Sequence, residues 1–327
     1  MVDPGVPAPD WDELRPAVSA TAPLGRAWAH TRALLFPFEL RRWASLGFVA
    51  WLAALGEQFG RSSFQLPRKG WSPGDEQVVE RAMAWVQANP ETAVAMIAGM
   101  LALGFSFAAA LLWVSSRAKL MFVEGIHLGD VQIAEAWSRW APEASSLFRW
   151  RFALSALATA VLLVVTGLAG WVGYADVHAG TFGTGARTAI VIFLGGGLLV
   201  LPLQVAGVVI DDFVVPTMYL YREDVRGGWA RVRGRLREQL GAVLVYYLVK
   251  LGLGAASLVT VFSLTLCTCC LTAIPYVGTV ILLPMFMFLR CYELTFFEQL
   301  GPELRLFAPQ APPHERTEWD SGFAPPG

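Results

Sequence analysis

GVVIDDFVVP (residues 207–216) sets two adjacent carboxylates, Asp211 and Asp212, inside an otherwise apolar run. The rest of the chain says which solvent surrounds that run. Of 327 residues, 55% are hydrophobic and only 16% are charged, with a mean hydropathy of +0.49. Soluble domains carry about 25% charged residues, so the balance points to lipid. The formal net charge is −1, which argues against an electrostatic nucleic-acid binder. The opening stretch MVDPGVPAPDWDEL has neither a basic n-region nor an apolar h-region. Insertion is therefore expected from internal spans rather than from a cleaved signal.

Five apolar segments stand out: Thr92–Ser115, Phe152–Ala175, Thr188–Ile210, Gly241–Cys267 and Leu271–Leu289. Each is close to the ~20 residues that cross a hydrocarbon core of ~30 Å. A sixth, WASLGFVAWLAAL (Trp43–Leu55), is short, and reads either as a thin span or as an interfacial segment. Basic residues decide between them. With six spans and both termini cytoplasmic, nineteen lysines and arginines fall inside. Five fall outside: Arg61, Arg68, Lys69, Arg81 and Arg187. That asymmetry follows the positive-inside rule, and six spans are expected.

Three lead-in segments look alike: LGRAWAHTRALLFPFELRRWASLGF from Leu24, IAEAWSRWAPEASSLFRWRFALSAL from Ile133 and VRGGWARVRGRLREQLGAVLVYYL from Val225. Each offers a small residue and a tryptophan (Ala27-Trp28, Ala136-Trp137, Gly228-Trp229), then a basic stretch, then a span. The outgoing spans also end alike, at LMFVEG (Leu120), TMYLYR (Thr217) and LTFFEQ (Leu294). The fold expected is all-α: an integral membrane bundle of six transmembrane helices as three pseudo-repeated hairpins with interfacial amphipathic helices. Repeats with an even number of spans keep one orientation and are related by an axis along the membrane normal. Residues 24–306 form this domain. The segments 1–23 and 307–327 read as disordered, the latter rich in proline and charge.

The first outer loop reads as a surface lid with a helix starting at Ser72-Pro73, and Asn89-Pro90-Glu91 restarts a helix as the second span. The second loop, WVGYADVHAGTFGTGART, reads as flexible. The stretch Thr188–Tyr221 is about 51 Å long as one helix. It either projects past the aspartates or breaks at Gly195-Gly196-Gly197 and Pro202; a glycine packing face with a mild kink is the simpler reading.

Aligned on their endings, the three outgoing spans carry ionisable groups at one depth. These are Arg117 and Lys119 in the first, Asp211 and Asp212 in the second, Arg290 and Glu293 in the third. A lone charge at the bilayer centre costs about 2.5–3.5 kcal/mol, so such groups are expected to face one another. The cluster expected here comprises Arg117, Asp211, Asp212, Lys250, Arg290 and Glu293. Asp211 and Asp212 meet Arg117 and Arg290, and Lys250 is a further partner.

Recognisable catalytic chemistry is lacking. Cys267, Cys269 and Cys270 are bunched as C-x-C-C with no second C-x-x-C pair to complete a zinc site, Cys291 stands apart, and the four histidines are scattered. No metal site is expected. There is no G-x-S-x-G, Walker loop or H-E-x-x-H, so no enzyme and no cofactor are expected.

The tryptophan-bearing lead-in segments and the ending DDFVVPTMYLY resemble a loose group of uncharacterised bacterial multi-pass membrane proteins. They are similar to the membrane portion attached to some glycerophosphodiester phosphodiesterases. The resemblance covers about Leu24 to Leu300 and implies an architecture only, since neither room nor residues for the phosphodiesterase barrel are present. Abundant Ala, Gly and Arg suggest a bacterial inner membrane. The function expected is a non-enzymatic membrane accessory or scaffold that interacts with lipid. The alternative is a small solute or ion transporter using the Asp/Lys cluster. The expected partners are the lipid bilayer and a protein partner or second copy, not nucleic acid.

Overall fold

The computed structural model describes residues 18–60, 81, 84–267, 274 and 276–307. Among them every regular element is a helix. α1 (Ala22–Leu35) leads into α2 (Leu40–Gly60). α3 (Pro90–Leu128) is followed by the short α4 (Ile133–Arg139) and by α5 (Ala141–His178). α6 (Thr184–Val209) continues through a π-helical turn (Ile210–Val214) into α7 (Val215–Tyr221). α8 (Val225–Glu238) precedes α9 (Leu240–Cys267), α10 (Val277–Ile281) and α11 (Leu283–Phe297), and two 3-10 turns close the described chain.

Among the described residues, four helices are long and apolar enough to cross a membrane: Pro90–Leu128, Ala141–Asp176, Thr184–Tyr221 and Leu240–Cys267. In each, at most 11% of the most apolar eighteen-residue stretch is buried, as expected of surface that lipid covers. α2 and α3 pack as a hairpin, as do α5 and α6, while α1 lies against α11.

The packed core sits at one end of the long helices. It takes Leu120–Ile126 from α3, Ala144 and Leu147 from α5, Phe213–Val215 and Met218 around the π turn, Val225, Val232 and Leu236 from α8, and the second half of α11. The opposite halves, such as Val94–Phe107 of α3 and Leu251–Leu266 of α9, expose large apolar side chains. The molecule is a packed base from which greasy helices extend.

Several expectations are refined. The run Gly195–Gly197 and Pro202 does not break the helix, which is continuous from Thr184 to Val209. Gly196 is the packing glycine, because a Cβ there would land on the methyls of Val165 in α5. The irregularity lies instead at the carboxylates. The loop before α6 is a short turn rather than a flexible stretch. α5 runs on to His178, Gly180 takes a positive φ of 62°, and Asp176 Oδ2 accepts the Ala186 N–H at 2.8 Å. Asn89-Pro90 does open α3, with proline in its first turn. The helix expected from Ser72, Cys269, Cys270 and the segments 1–17 and 308–327 lie outside the described residues. The chain is already ordered before residue 23. Ala20 is buried, Ser19 N–H donates to Gln299 Oε1 at 3.1 Å, and α1 begins at Ala22.

Candidate functional site

The π turn explains how two neighbouring carboxylates face different helices. Val215 N–H bonds to the carbonyl of Ile210, five residues back. In an α-helix it would take the carbonyl of Asp211. The next residue, Pro216, has no N–H to offer and its ring crowds the carbonyl four residues behind it. Widening the turn relieves that crowding and leaves the Asp211 carbonyl without a main-chain donor. Arg290 Nη1 donates to it at 3.2 Å. Thus α11 caps a defect in the α6–α7 helix, and the side chains of Asp211 and Asp212 are aimed to opposite sides.

Asp211 turns toward α3 and α5. Its Oδ2 accepts from Lys119 Nζ at 2.5 Å, and Arg151 Nε stands 3.9 Å from Oδ1. Arg151 also donates to the hydroxyls of Ser115 at 3.2 Å and Ser116 at 3.3 Å. Ser115 in turn donates to the carbonyl of Ala53, tying α2 to the same level at 2.7 Å. Asp212 turns toward α9. Lys250 Nζ reaches both its oxygens at 2.6 and 2.7 Å, and Tyr246 Oη donates to Oδ2 at 3.2 Å. Lys250 bridges onward to Glu293 at 2.7 Å, and Glu293 accepts from Arg290 at 2.5 Å. Tyr246 is wholly buried and stacks on Tyr292 and Phe296, so this end of the chain of charges is walled by aromatic rings.

Five of the six expected residues therefore meet: Asp211, Asp212, Lys250, Arg290 and Glu293. Arg117 does not. It lies two residues before Lys119, about 200° around the helix, so when Lys119 faces inward Arg117 must face away. Its guanidinium sits 4.4 Å from the ring of Trp113 and 5.0 Å from that of Trp137, and donates to the Trp137 carbonyl at 3.4 Å. Arg290 also differs from expectation, since it meets the backbone of Asp211 rather than a side-chain oxygen of either aspartate. Sequence reading missed Arg151 and Tyr246, and it named Lys119 without choosing it. One signal was available: the chain has only three lysines, and two of them, Lys119 and Lys250, lie in this cluster.

Position along the helices is consistent. Lys119 and Asp211 lie about ten residues before the ends of α3 and α7, and Arg151 and Lys250 about ten residues after the starts of α5 and α9. Ten residues is about 15 Å. The four candidate spans and α11 thus bring their charges to one level, above the packed base.

A second polar group lies nearer the base. Glu124, buried, accepts from Arg139 at 2.5 Å and from Trp140 Nε1 at 2.6 Å. Arg222 lies 3.7 Å over the Trp140 ring and bonds to Glu143 at 3.3 Å. His127 and the hydroxyl of Tyr219 are 2.8 Å apart. At the aligned position of the last helix, Glu298 accepts the main-chain N–H groups of Leu306 and Phe307 at 2.7 and 2.6 Å.

Comparison with known proteins adds one assignment. The chain belongs to DUF7544, a family of unknown function, whose pattern matches residues 18–286. That stretch includes Lys119, Arg151, Asp211, Asp212 and Lys250. No curated protein and no solved structure matches the chain.

Proposed function

We propose that this chain is a non-catalytic scaffold of a bacterial inner membrane, six spans in three repeated hairpins with both ends on the cytoplasmic side. In this reading the buried charges fix how the helices sit together, and the protein works by presenting surfaces to lipid and to a protein partner or second copy. One observation carries the reading. Each of the three cluster carboxylates is held by a cation from a helix other than its own, Lys250 serving both Asp212 and Glu293, and those contacts join α3, α5, the π turn, α9 and α11. Breaking one partner of a buried pair leaves an uncompensated charge, so the arrangement specifies a single packing.

The repeat has support at matched positions. Ala27, Ala136 and Gly228 are all buried, while the tryptophans that follow them are exposed or half-buried. Each lead-in helix (α1, α4, α8) precedes an outgoing or returning pair of the bundle. The aligned endings each brace a later segment: Glu124 holds α4, Tyr221 donates to the Glu303 carbonyl at 2.9 Å, and Glu298 holds residues 306 and 307.

The test separates this role from transport. Lys250→Met alone is expected to cost about 3–5 kcal/mol, and Asp212→Asn in the same protein to recover most of it. The doubly neutral protein should fold and keep whatever protein co-purifies with the wild type in mild detergent, identified by mass spectrometry. A transporter would behave differently. Its stability would rise with a solute or shift with pH through Asp211, Asp212 or Lys250, and the folded double variant would lose that response. Such a result ends the scaffold reading.

A further inference from the structure

α8 uses its arginines in two ways. Arg231 and Arg235 are ion-paired within the protein, to Glu223 at 2.5 Å and to Glu303 at 3.1 Å. Arg226, Arg233 and Arg237 are exposed and make no ion pair or hydrogen bond among the described residues. At 100° per residue these three and Trp229 fall within an arc of about 80°. The buried stripe of the same helix, Val225, Gly228, Val232 and Leu236, docks on the base and leaves that arc facing out. Trp229 is 41% exposed. The helix is therefore amphipathic in three sectors: apolar inward, paired arginines on one flank, unpaired arginines with an indole on the other.

Its place in the fold limits what can meet that flank. One end of α8 follows Tyr221, where the candidate span Thr184–Tyr221 stops. The other precedes Leu240, where the span Leu240–Cys267 starts. A helix tied at both ends to spans runs along one membrane face. Leu240, three residues beyond Arg237, is already exposed, and Leu244 and Leu248 continue the apolar surface. The unpaired arginines are thus continuous with surface that hydrocarbon covers.

We infer that Arg226, Trp229, Arg233 and Arg237 form a binding site for the phosphate headgroups of anionic phospholipid. Guanidinium groups grip phosphate oxygens with two parallel hydrogen bonds, and tryptophan settles at the headgroup level. The near-zero net charge of the chain leaves no broad positive field for a nucleic acid, which favours a local lipid site. The inference rests on the membrane reading above. It is separate from the scaffold role, which is read through the Lys250 and Asp212 variants and their co-purifying partner.

The full-length protein, purified in neutral detergent, is mixed with equal amounts of phosphatidylglycerol and phosphatidylcholine, and bound lipid is counted by native mass spectrometry. A basic residue at a charged bilayer surface adds about a fivefold preference. The wild type is expected to favour phosphatidylglycerol at least about tenfold, and R226Q/R233Q/R237Q to bring the ratio close to parity. R226K/R233K/R237K should keep only part of it, since the charge remains while the paired guanidinium hydrogen bonds are lost. Should the triple glutamine variant fail to elute and unfold like the wild type, the single variants serve, each expected to lose several-fold. Equal retention of the two lipids by the wild type overturns the assignment. So does undiminished selectivity in a folded glutamine variant. A duplex oligonucleotide that binds these arginines in preference to phosphatidylglycerol overturns it in favour of nucleic acid.

Discussion

At the scale of single residues, Asp212 is the most enclosed carboxylate of the cluster, and its hydroxyl partner can be removed without a cavity. Tyr246 packs by its ring against Tyr292 and Phe296 and donates its hydroxyl to Asp212. Tyr246→Phe keeps the ring and deletes the donor. Hydrogen bonds to charged groups contribute about 1.5–3 kcal/mol, so the variant should unfold at lower temperature or denaturant with unchanged helix content. A loss below ~0.5 kcal/mol would mean that Lys250 alone satisfies the carboxylate. A pH effect belongs to His30 in α1, outside the spans. Burial lowers its pKa below the usual 6.5, and nearby His127 lowers it further. A histidine with a depressed folded pKa contributes stability present above its unfolded pKa and lost as pH falls through the folded value. Acidification below about 6.5 should therefore destabilise the wild type more than His30→Gln, measured by thermal unfolding from pH 8 to 5. That Lys119, the two aspartates, Lys250, Arg290 and Glu293 would lie near one level was legible in the sequence, while Arg151 was not. Which of Arg117 and Lys119 turns inward was not, because that depends on helix rotation, and rotation is set by packing that periodicity does not reveal in a helix apolar all round.

At the scale of elements, the α6–α7 helix holds the two features that sequence left open. Its glycines were readable as either a break or a packing face. The structure makes Gly196 alone the contact, while Gly195 and Gly197 have open space where a Cβ would go. Replacing glycine by alanine in a helix is worth about 0.5–1 kcal/mol where nothing obstructs it. Gly195→Ala and Gly197→Ala are each expected to stabilise. Gly196→Ala should destabilise by about 1–3 kcal/mol through overpacking against Val165. Three equal effects would contradict the α5–α6 packing. The π turn was not legible, although Pro216 was in view. A proline inside a helix announces a disturbance, but the repair, a wider turn with Arg290 on the freed Asp211 carbonyl, needs a residue from seventy-nine positions away. Pro216→Ala returns an N–H to this turn and so makes Arg290 less necessary. The cost of Arg290→Met should be smaller in the Pro216→Ala background, by a coupling of about 1 kcal/mol. Additive costs would show that Arg290 acts only through Glu293.

At the scale of the molecule, a packed base at one end contrasts with apolar helices extending from it. α1 binds the end of α11, where Tyr292 donates to the Ala20 carbonyl at 3.0 Å. Gly129, between α3 and α4, lies against Leu34 at the end of α1. α8 packs beside the π turn, and Tyr221 reaches Glu303. The lead-in helices and the last described residues therefore gather at one end of the bundle. Composition made the membrane legible, and five segments read as spans from apolar length. Among the described residues four of them lie in helices long and apolar enough to cross, while Leu271–Leu289 does not. α2 was ambiguous, because its apolar run is short and arginines flank its start, so the distribution of basic residues and its hairpin with α3 are what argue for a full crossing. Three positions test this in a cysteine-free background: Gly25→Cys before α2, Gly180→Cys in the α5–α6 turn, and Arg305→Cys after α11. With six spans and a cytoplasmic base, a membrane-impermeant maleimide added to intact cells should label only Gly180→Cys, and the other two should react after permeabilisation. If α2 merely enters and leaves on one side, Gly25→Cys becomes reactive from outside while Arg305→Cys stays protected. That outcome would place α1 across the bilayer from the helix it packs against here, so it would refute the base itself as well as the count of spans.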